Sequence, residues 1–182
     1  GGRLLIGVRD NGSIAGVQSE EEYYMIDAAA SLFCEPSVKY HVVQHRSEGK
    51  TVLEVEVEKS VNRPVYSKDD TGRWVAYSRK DDQNLAVNSV ILKVWKKEKR
   101  KNGLLIKVRK AETILFYYLQ QNDSISLSKF RKLSKLPLYK AENIISDLIC
   151  CGILEYELTD KGCRYYASEK LDQYQPDSYL RY

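Results

Sequence analysis

Three sets of side chains in this chain combine residue type and spacing in a way that could do chemistry. Glu54, Glu56 and Glu58 alternate with Leu53, Val55 and Val57, so on a strand the carboxylates form one stripe and the aliphatic residues face a core. Such a stripe invites a divalent cation. Alternate strand positions lie about 6.6 Å apart, however, and no fourth oxygen ligand stands beside them, so no metal is expected there. His41 and His45 would chelate a metal only on a helix. Their segment reads as a strand, which puts the rings about 13 Å apart. The third set is basic: Lys129, Arg131, Lys132 and Lys135, followed by Tyr139, Lys140 and Asn143. Long cationic side chains neutralise phosphates and an Asn amide suits an adenine edge, so this set reads as a nucleic-acid interface.

Other chemistries find less to work with. Cys34, Cys150, Cys151 and Cys163 lack any Cys-x-x-Cys spacing and are expected to be structural thiols in a reducing cytoplasm. No Gly-x-x-x-x-Gly-Lys-Ser/Thr run is present, and the Gly2, Gly7, Gly12 and Gly16 spacing suits a hairpin rather than a phosphate nest, so no cofactor is expected. No stretch approaches the roughly 20 apolar residues of a membrane span, which argues against a membrane partner. The 182 residues are 43% apolar and 30% charged, ordinary for globular protein. The net charge of +4 is unevenly spread: residues 1–95 hold 12 basic against 14 acidic side chains, residues 96–182 hold 17 against 11. The second half is therefore the electrostatic candidate for a polyanion.

The elements that must position these groups follow from periodicity. Leu4 to Val8 reads as a buried strand, Asp10, Asn11 and Gly12 as a turn, and Ile14 to Val17 as the returning strand. Ser19 can cap a helix with Glu20, Glu21 and Glu22 in its first turn and Tyr23, Ile26, Ala30 and Phe33 on one face. Val38 to His45 and Thr51 to Glu58 form a hairpin about Glu48, Gly49 and Lys50, and further strands surround Asp69 to Gly72. The run Lys96 to Gly103 is basic and poor in apolar residues, a natural linker. Beyond it come helices over 111–121, with Ile114, Leu115, Tyr118 and Leu119 inward, over 126–133, and over 138–150, with Ala141, Ile144, Ile145 and Leu148 inward and Gly152 as the stop. Ile153 to Leu158 reads as a tight β-pair and the segment after Gly162 as another helix. On the 138–150 helix the expected outward positions are Tyr139, Lys140, Glu142, Asn143, Ser146 and Asp147.

The opening run, Gly1 and Gly2, the apolar strand, Gly7, Val8 and Asp10, then Gly12 and the Ile14 to Val17 return, resembles the core of the Schlafen AlbA family of nucleic-acid-binding domains. The resemblance extends to Tyr77, Ser78 and Arg79 and to Asn84, Leu85 and Ala86, which match that family's closing strand and an Asn that opens a helix. Family members carry a Glu-Phe-Lys strand and a helix before the Gly-Gly pair, so the chain is expected to be the back part of a longer protein, with an incomplete first domain. The resemblance also implies that nuclease-competent members use two Glu from that leading segment together with an acidic residue matched here by Asp10. Arg9 stands where many relatives have Asp. Asp10 is catalytic only if partner Glu residues are supplied, and one carboxylate cannot hold a catalytic divalent cation, so it is expected to be a hairpin residue and no complete catalytic constellation is read. Members in bacterial regulators are labelled ATP-binding, which the glycine spacing does not support.

Residues 104–170 resemble a winged helix-turn-helix, in which the third helix enters the major groove and the second meets the backbone. The whole is expected to be α+β: a Schlafen AlbA-like domain over 1–95 with a mixed or antiparallel sheet, a linker over 96–103, the winged helix over 104–170 and a tail over 171–182. The leading functional expectation is a cytoplasmic, bacterial-type, homodimeric transcriptional regulator that contacts duplex DNA, with RNA as a further target. A rival is an RNA-processing nuclease whose carboxylates lie in the preceding segment; another is a protein-contact adaptor.

Overall fold

The computed structural model describes residues 1–61, 63–98 and 106–171. The chain is α+β, with five helices and antiparallel sheets among the described residues, and it divides into two compact units, Gly1–Tyr77 and Ser78–Tyr182.

In chain order the first unit contains β1 (Gly2–Ile6), α1 (Glu21–Ser31), β2 (Cys34–Glu35), β3 (Tyr40–Ser47), β4 (Lys50–Val57), β5 (Tyr66–Lys68) and β6 (Trp74–Val75). Its main sheet has the order β1-β4-β3 and a smaller one the order β2-β5-β6. The β3–β4 hairpin turns on Glu48 (φ 54°) and Gly49 (φ 74°), both left-handed, as a tight turn matched to strand twist requires. Leu53 and Val55 are buried, while Glu54 and Glu56 alternate with them and stay more exposed, as the alternating pattern predicts.

Three expectations for this unit are corrected. The opening strand, expected to be buried, leaves Leu4 and Leu5 56% and 53% exposed. It pairs antiparallel with β4, Leu4 opposite Val55 and Leu5 opposite Glu54; residues 14–17 return only as an isolated Val8–Ile14 bridge. The glycines explain it. Gly7 (φ 95°) and Gly16 (φ 82°) bend the chain, the amides of Ala15 and Gly16 both donate to the Gly7 carbonyl at 2.8 and 2.9 Å, and a Cβ on Gly7 would sit 3.0 Å from the Gly16 backbone. The spacing builds a close backbone crossing where a ladder was expected. On α1, whose entry is fastened by Ser19 Oγ accepting from the Glu21 amide at 3.2 Å and the Glu22 carboxylate accepting from the Ser19 amide at 3.3 Å, no residue is buried. Phe33, expected inward, is 54% exposed.

The second unit begins with a hairpin of β7 (Tyr77–Lys80), which starts on the last residue of the first unit, and β8 (Gln83–Ala86). Then come α2 (Ser89–Lys97), α3 (Lys110–Gln121), α4 (Leu127–Ser134), α5 (Leu138–Cys150), β9 (Leu154–Thr159) and β10 (Gly162–Ala167). Asn84, expected to open a helix, lies in β8 and accepts from Arg79. The residue that caps α2 is Asn88, whose Oδ1 accepts from the Ile91 amide at 3.0 Å. The β-pair expected within 153–158 is a single strand, β9, and the segment after Gly162, expected as a helix, is its partner β10, paired from Gly162–Thr159 to Ala167–Leu154. Its alternation, Tyr165 fully buried between exposed Arg164 and half-buried Tyr166, carries a period of two that a helix cannot use.

The helices α3, α4 and α5 sit close to their expected bounds. Ser126 caps α4 by accepting from the Lys129 amide at 3.2 Å, and Gly152 (φ 69°) ends α5, with the Ile153 amide donating to the Leu148 carbonyl at 2.9 Å. On α3, Leu115 and Leu119 are buried, as is Phe116, which was not expected, while Ile114 and Tyr118 are half-buried. The division at 77/78 falls before the composition change at 96–103, most of which lies outside the described residues. The reason is α2: its buried Val90, Ile91 and Val94 pack against α5 within the second unit.

Candidate nucleic-acid interface

The seven residues expected to meet nucleic acid lie on α4, on the turn after it and on the first half of α5, and all seven are exposed. Lys129, Arg131 and Lys132 project from α4, around the buried Phe130 that anchors it. Lys129 Nζ lies over the Tyr118 ring, 5.7 Å from its centroid, a cation–π contact that steadies the side chain. Lys135 occupies the α4 C-cap with φ 54°, a left-handed conformation that favours glycine and costs a lysine about 1 kcal/mol. Tyr139, Lys140 and Asn143 stand on the first turns of α5, which starts directly after Pro137.

The other half of the α5 exterior is not free. Glu142 and Ser146, expected to point outward, are 7% and 0% exposed, because α2 covers them. Glu142 accepts from the Ser89 hydroxyl and pairs with Lys93 at 2.9 Å. Lys97 Nζ lies 2.7 Å from both Ser146 Oγ and Asp147 Oδ1. Burial alone would raise the Glu142 carboxyl, but the hydrogen bonds from Ser89 and Lys93 and the charges of Lys93 and Arg131 outweigh it and hold the group below the usual carboxylate range. Both acids of the helix are thereby neutralised inside the unit.

The same clamp orients Asn143. Lys93 Nζ donates to Asn143 Oδ1 at 2.9 Å, and since an ammonium can only donate, the amide oxygen must face α2 and the NH2 group faces away. Asn143 therefore presents a donor outward, suited to acceptors on a purine edge such as N7 or O6.

Sequence reasoning missed Lys93 and Lys97. The apolar spacing of Val90, Ile91 and Val94 after an Asn cap was the available signal, but it does not say which unit the helix joins. On the other flank, β9 and β10 are tied to the α3–α4 connection by paired backbone hydrogen bonds between Ile125 and Tyr165, both 2.9 Å, and Tyr165 Oη accepts from Asn88 Nδ2 at 3.1 Å. Burial raises the Tyr165 hydroxyl well above the ordinary tyrosine range, so it stays neutral.

In the first unit the acidic stripe is partnered by its sheet neighbours. Arg3 on β1 lies 3.5 Å from Glu54 and 3.6 Å from Glu56; on β3, His45 lies 2.8 Å from Glu54, and His41 lies 3.5 Å from Glu58. The two histidines bind different carboxylates. Asp10 is exposed in the turn that follows Val8, and among the described residues no group of three or more His, Cys, Asp or Glu is gathered for a metal. Among the described residues no helix is long and apolar enough to cross a membrane.

Residues 1–88 match the family model described as Schlafen, AlbA_2. The match supports a Schlafen AlbA-type domain over those residues. It runs past Tyr77 through β7 and β8 to the Asn88 cap of α2. No curated protein matches the chain, and no solved structure does.

Proposed function

We propose that this protein is a DNA-binding transcriptional regulator whose second unit is a winged helix-turn-helix contacting duplex DNA. The observation that carries this reading is the uneven pairing of charge around α5. Its acids are matched to Lys93 and Lys97, whereas Arg131, Lys132, Lys135 and Lys140 are exposed and make no ion pair among the described residues. The element order supports it too: three helices, a β9–β10 hairpin, and a backbone link from that hairpin to the α3–α4 connection follow the winged-helix layout.

In this reading the first turns of α5 approach the major groove end-on. The groove is about 12 Å wide and admits one helix, so the side of α5 that α2 covers, from Glu142 to Asp147, cannot enter and only the uncovered side of its first turns can. Lys129, Arg131, Lys132 and Lys135 hold phosphates, Lys140 and Tyr139 meet the groove edge, and the outward Asn143 NH2 donates to a purine acceptor. A module of this size gives modest affinity, so a homodimer reading two half-sites is part of the proposal. The Schlafen AlbA-type region adds a second nucleic-acid or ligand contact. A protein-contact adaptor is the second reading, favoured by the cover that α2 places over Glu142 and Ser146.

The test is a selection of bound sequences from a random duplex pool, followed by affinity measurements on the winner and on scrambled duplex. Asn143→Ala should cost about 1–3 kcal/mol on the selected site alone. Failure to enrich any duplex sequence, with Asn143→Ala neutral throughout, would favour the adaptor.

A further inference from the structure

Beside the proposed DNA-contacting surface, between the start of α3 and the exterior of α5, lies a cleft of about 550 Å³, within the range of roughly 300–1,000 Å³ usual for small-molecule sites. Four cations line it: Lys107, Arg109 and Lys110 from the entry to α3, and Lys140 from α5. None of the four side chains makes an ion pair among the described residues, and all are exposed. The cleft's one carboxylate, Glu112, is buried and already accepts from the Arg109 amide at 3.0 Å. Asn143 also lines the cleft, and its oxygen is taken by Lys93, so the group it has left to offer is a donor. Apart from Glu112, every polar side chain lining this cleft has only donors left to offer, and four of them are positive. The remaining wall is apolar, made by Leu136, Ala111 and Ile144.

A small inorganic anion would leave the apolar wall wet, and an apolar ligand would leave four cations unmatched. The ligand that satisfies both is an anion attached to a flat, weakly polar body. Two or more negative charges are needed to balance four cations, which favours phosphate over a single carboxylate.

We propose that this cleft binds a nucleotide, its phosphate between Lys107, Arg109, Lys110 and Lys140 and its base or sugar on Leu136 and Ile144. The site shares Lys140 and Asn143 with the proposed DNA surface, while its other three cations, Lys107, Arg109 and Lys110, lie outside it. The phosphate comes either from a free nucleotide or from a strand end, and the two sources separate by experiment.

The full chain is titrated with adenosine 5′-monophosphate, with adenosine, and with a short 5′-phosphorylated oligothymidylate, following backbone amide resonances. The monophosphate should shift the amides of Lys110, Ala111 and Ile144, and adenosine should not. Lys107→Gln combined with Lys110→Gln, both at exposed positions, should weaken the monophosphate about tenfold while leaving the rest of the spectrum in place. Lys129→Ala with Lys132→Ala should leave monophosphate binding unchanged, which separates failure of this site from failure of the DNA reading. Displacement of the monophosphate by the oligonucleotide assigns the site to a strand; lack of displacement assigns it to a free nucleotide. Shifts equal for adenosine and its monophosphate, no shift at these amides, or undiminished binding in the double variant would overturn the proposal.

Discussion

The two units handle charge in opposite ways. On and beside the main sheet of the first, Glu54, Glu56 and Glu58 are each met by Arg3, His41 or His45 from a neighbouring strand, so a stripe that looks like a ligand set is a row of carboxylates already contacted by cross-strand side chains. In the second, the acids of α5 are drawn inward to the lysines of α2, and the cations of α4 and of the α3 entry are left without acidic partners among the described residues. Both units contain mixed charge in sequence, and only the pairing shows which one keeps an unbalanced surface. A donor surface arises where acids are consumed internally, and it does not require a large net charge.

The units also differ in how helices are held. No residue of α1 is buried, whereas α5 buries Ala141, Ile145 and Leu148 almost completely. The sharpest contrast is therefore in stability. Ile145→Ala should cost about 2–5 kcal/mol, and Met25→Ala, at a position 70% exposed, should change little, within about 0.5 kcal/mol. Amide hydrogen exchange resolves the two units separately; equal losses of protection would break the comparison.

Smaller, but more specific, is the α2 clamp. Lys93→Ala strands Glu142, and the loss should be about 1–3 kcal/mol near neutral pH. The pH dependence has a definite sign. A carboxyl held below its ordinary 4.5 contributes stability that is full above that value and is lost as pH falls through the lower folded value. The gap between wild type and Lys93→Ala should narrow on acidification, and denaturant titrations at neutral and acid pH would read it; a gap independent of pH would contradict the pairing.

On the binding side, Lys129→Ala with Lys132→Ala should weaken all duplex sequences alike and flatten the slope of log affinity against log salt by roughly one unit per lost phosphate contact. The smallest effect is expected at Lys135. Lys135→Gly relieves a left-handed lysine and should stabilise the second unit by about 0.5–1 kcal/mol, yet reduce the salt slope by roughly one unit. Stabilisation with no change in slope would remove Lys135 from the interface.

Much of this was legible in the sequence where a local rule decides the outcome. Ser126 and Gly152 mark helix ends through their own chemistry, the 3.6 period of 138–150 yields α5 with its bounds intact, and the alternation in 53–58 yields β4. What was not legible depended on partners distant in sequence. The 14–17 return failed because Gly7 and Gly16 approach too closely for a ladder, and α1 lacked a face to bury. The strand over 162–167 was missed because Tyr165 is fixed by Ile125 and Asn88, far away in the chain. For the interface, the exposed cations were readable from composition, whereas the cover over Glu142 and Ser146 was not, since nothing local tells α2 which helix it will meet.

The central claim is that the unpaired cations of the second unit meet nucleic-acid phosphates. The direct measurement is affinity of the full chain for duplex DNA at about 50 and 200 mM salt. If Lys129, Arg131, Lys132 and Lys135 each neutralise one phosphate, affinity should fall about a hundredfold across that range. Equal affinity at both salt concentrations, or no binding at the lower one, would contradict the claim.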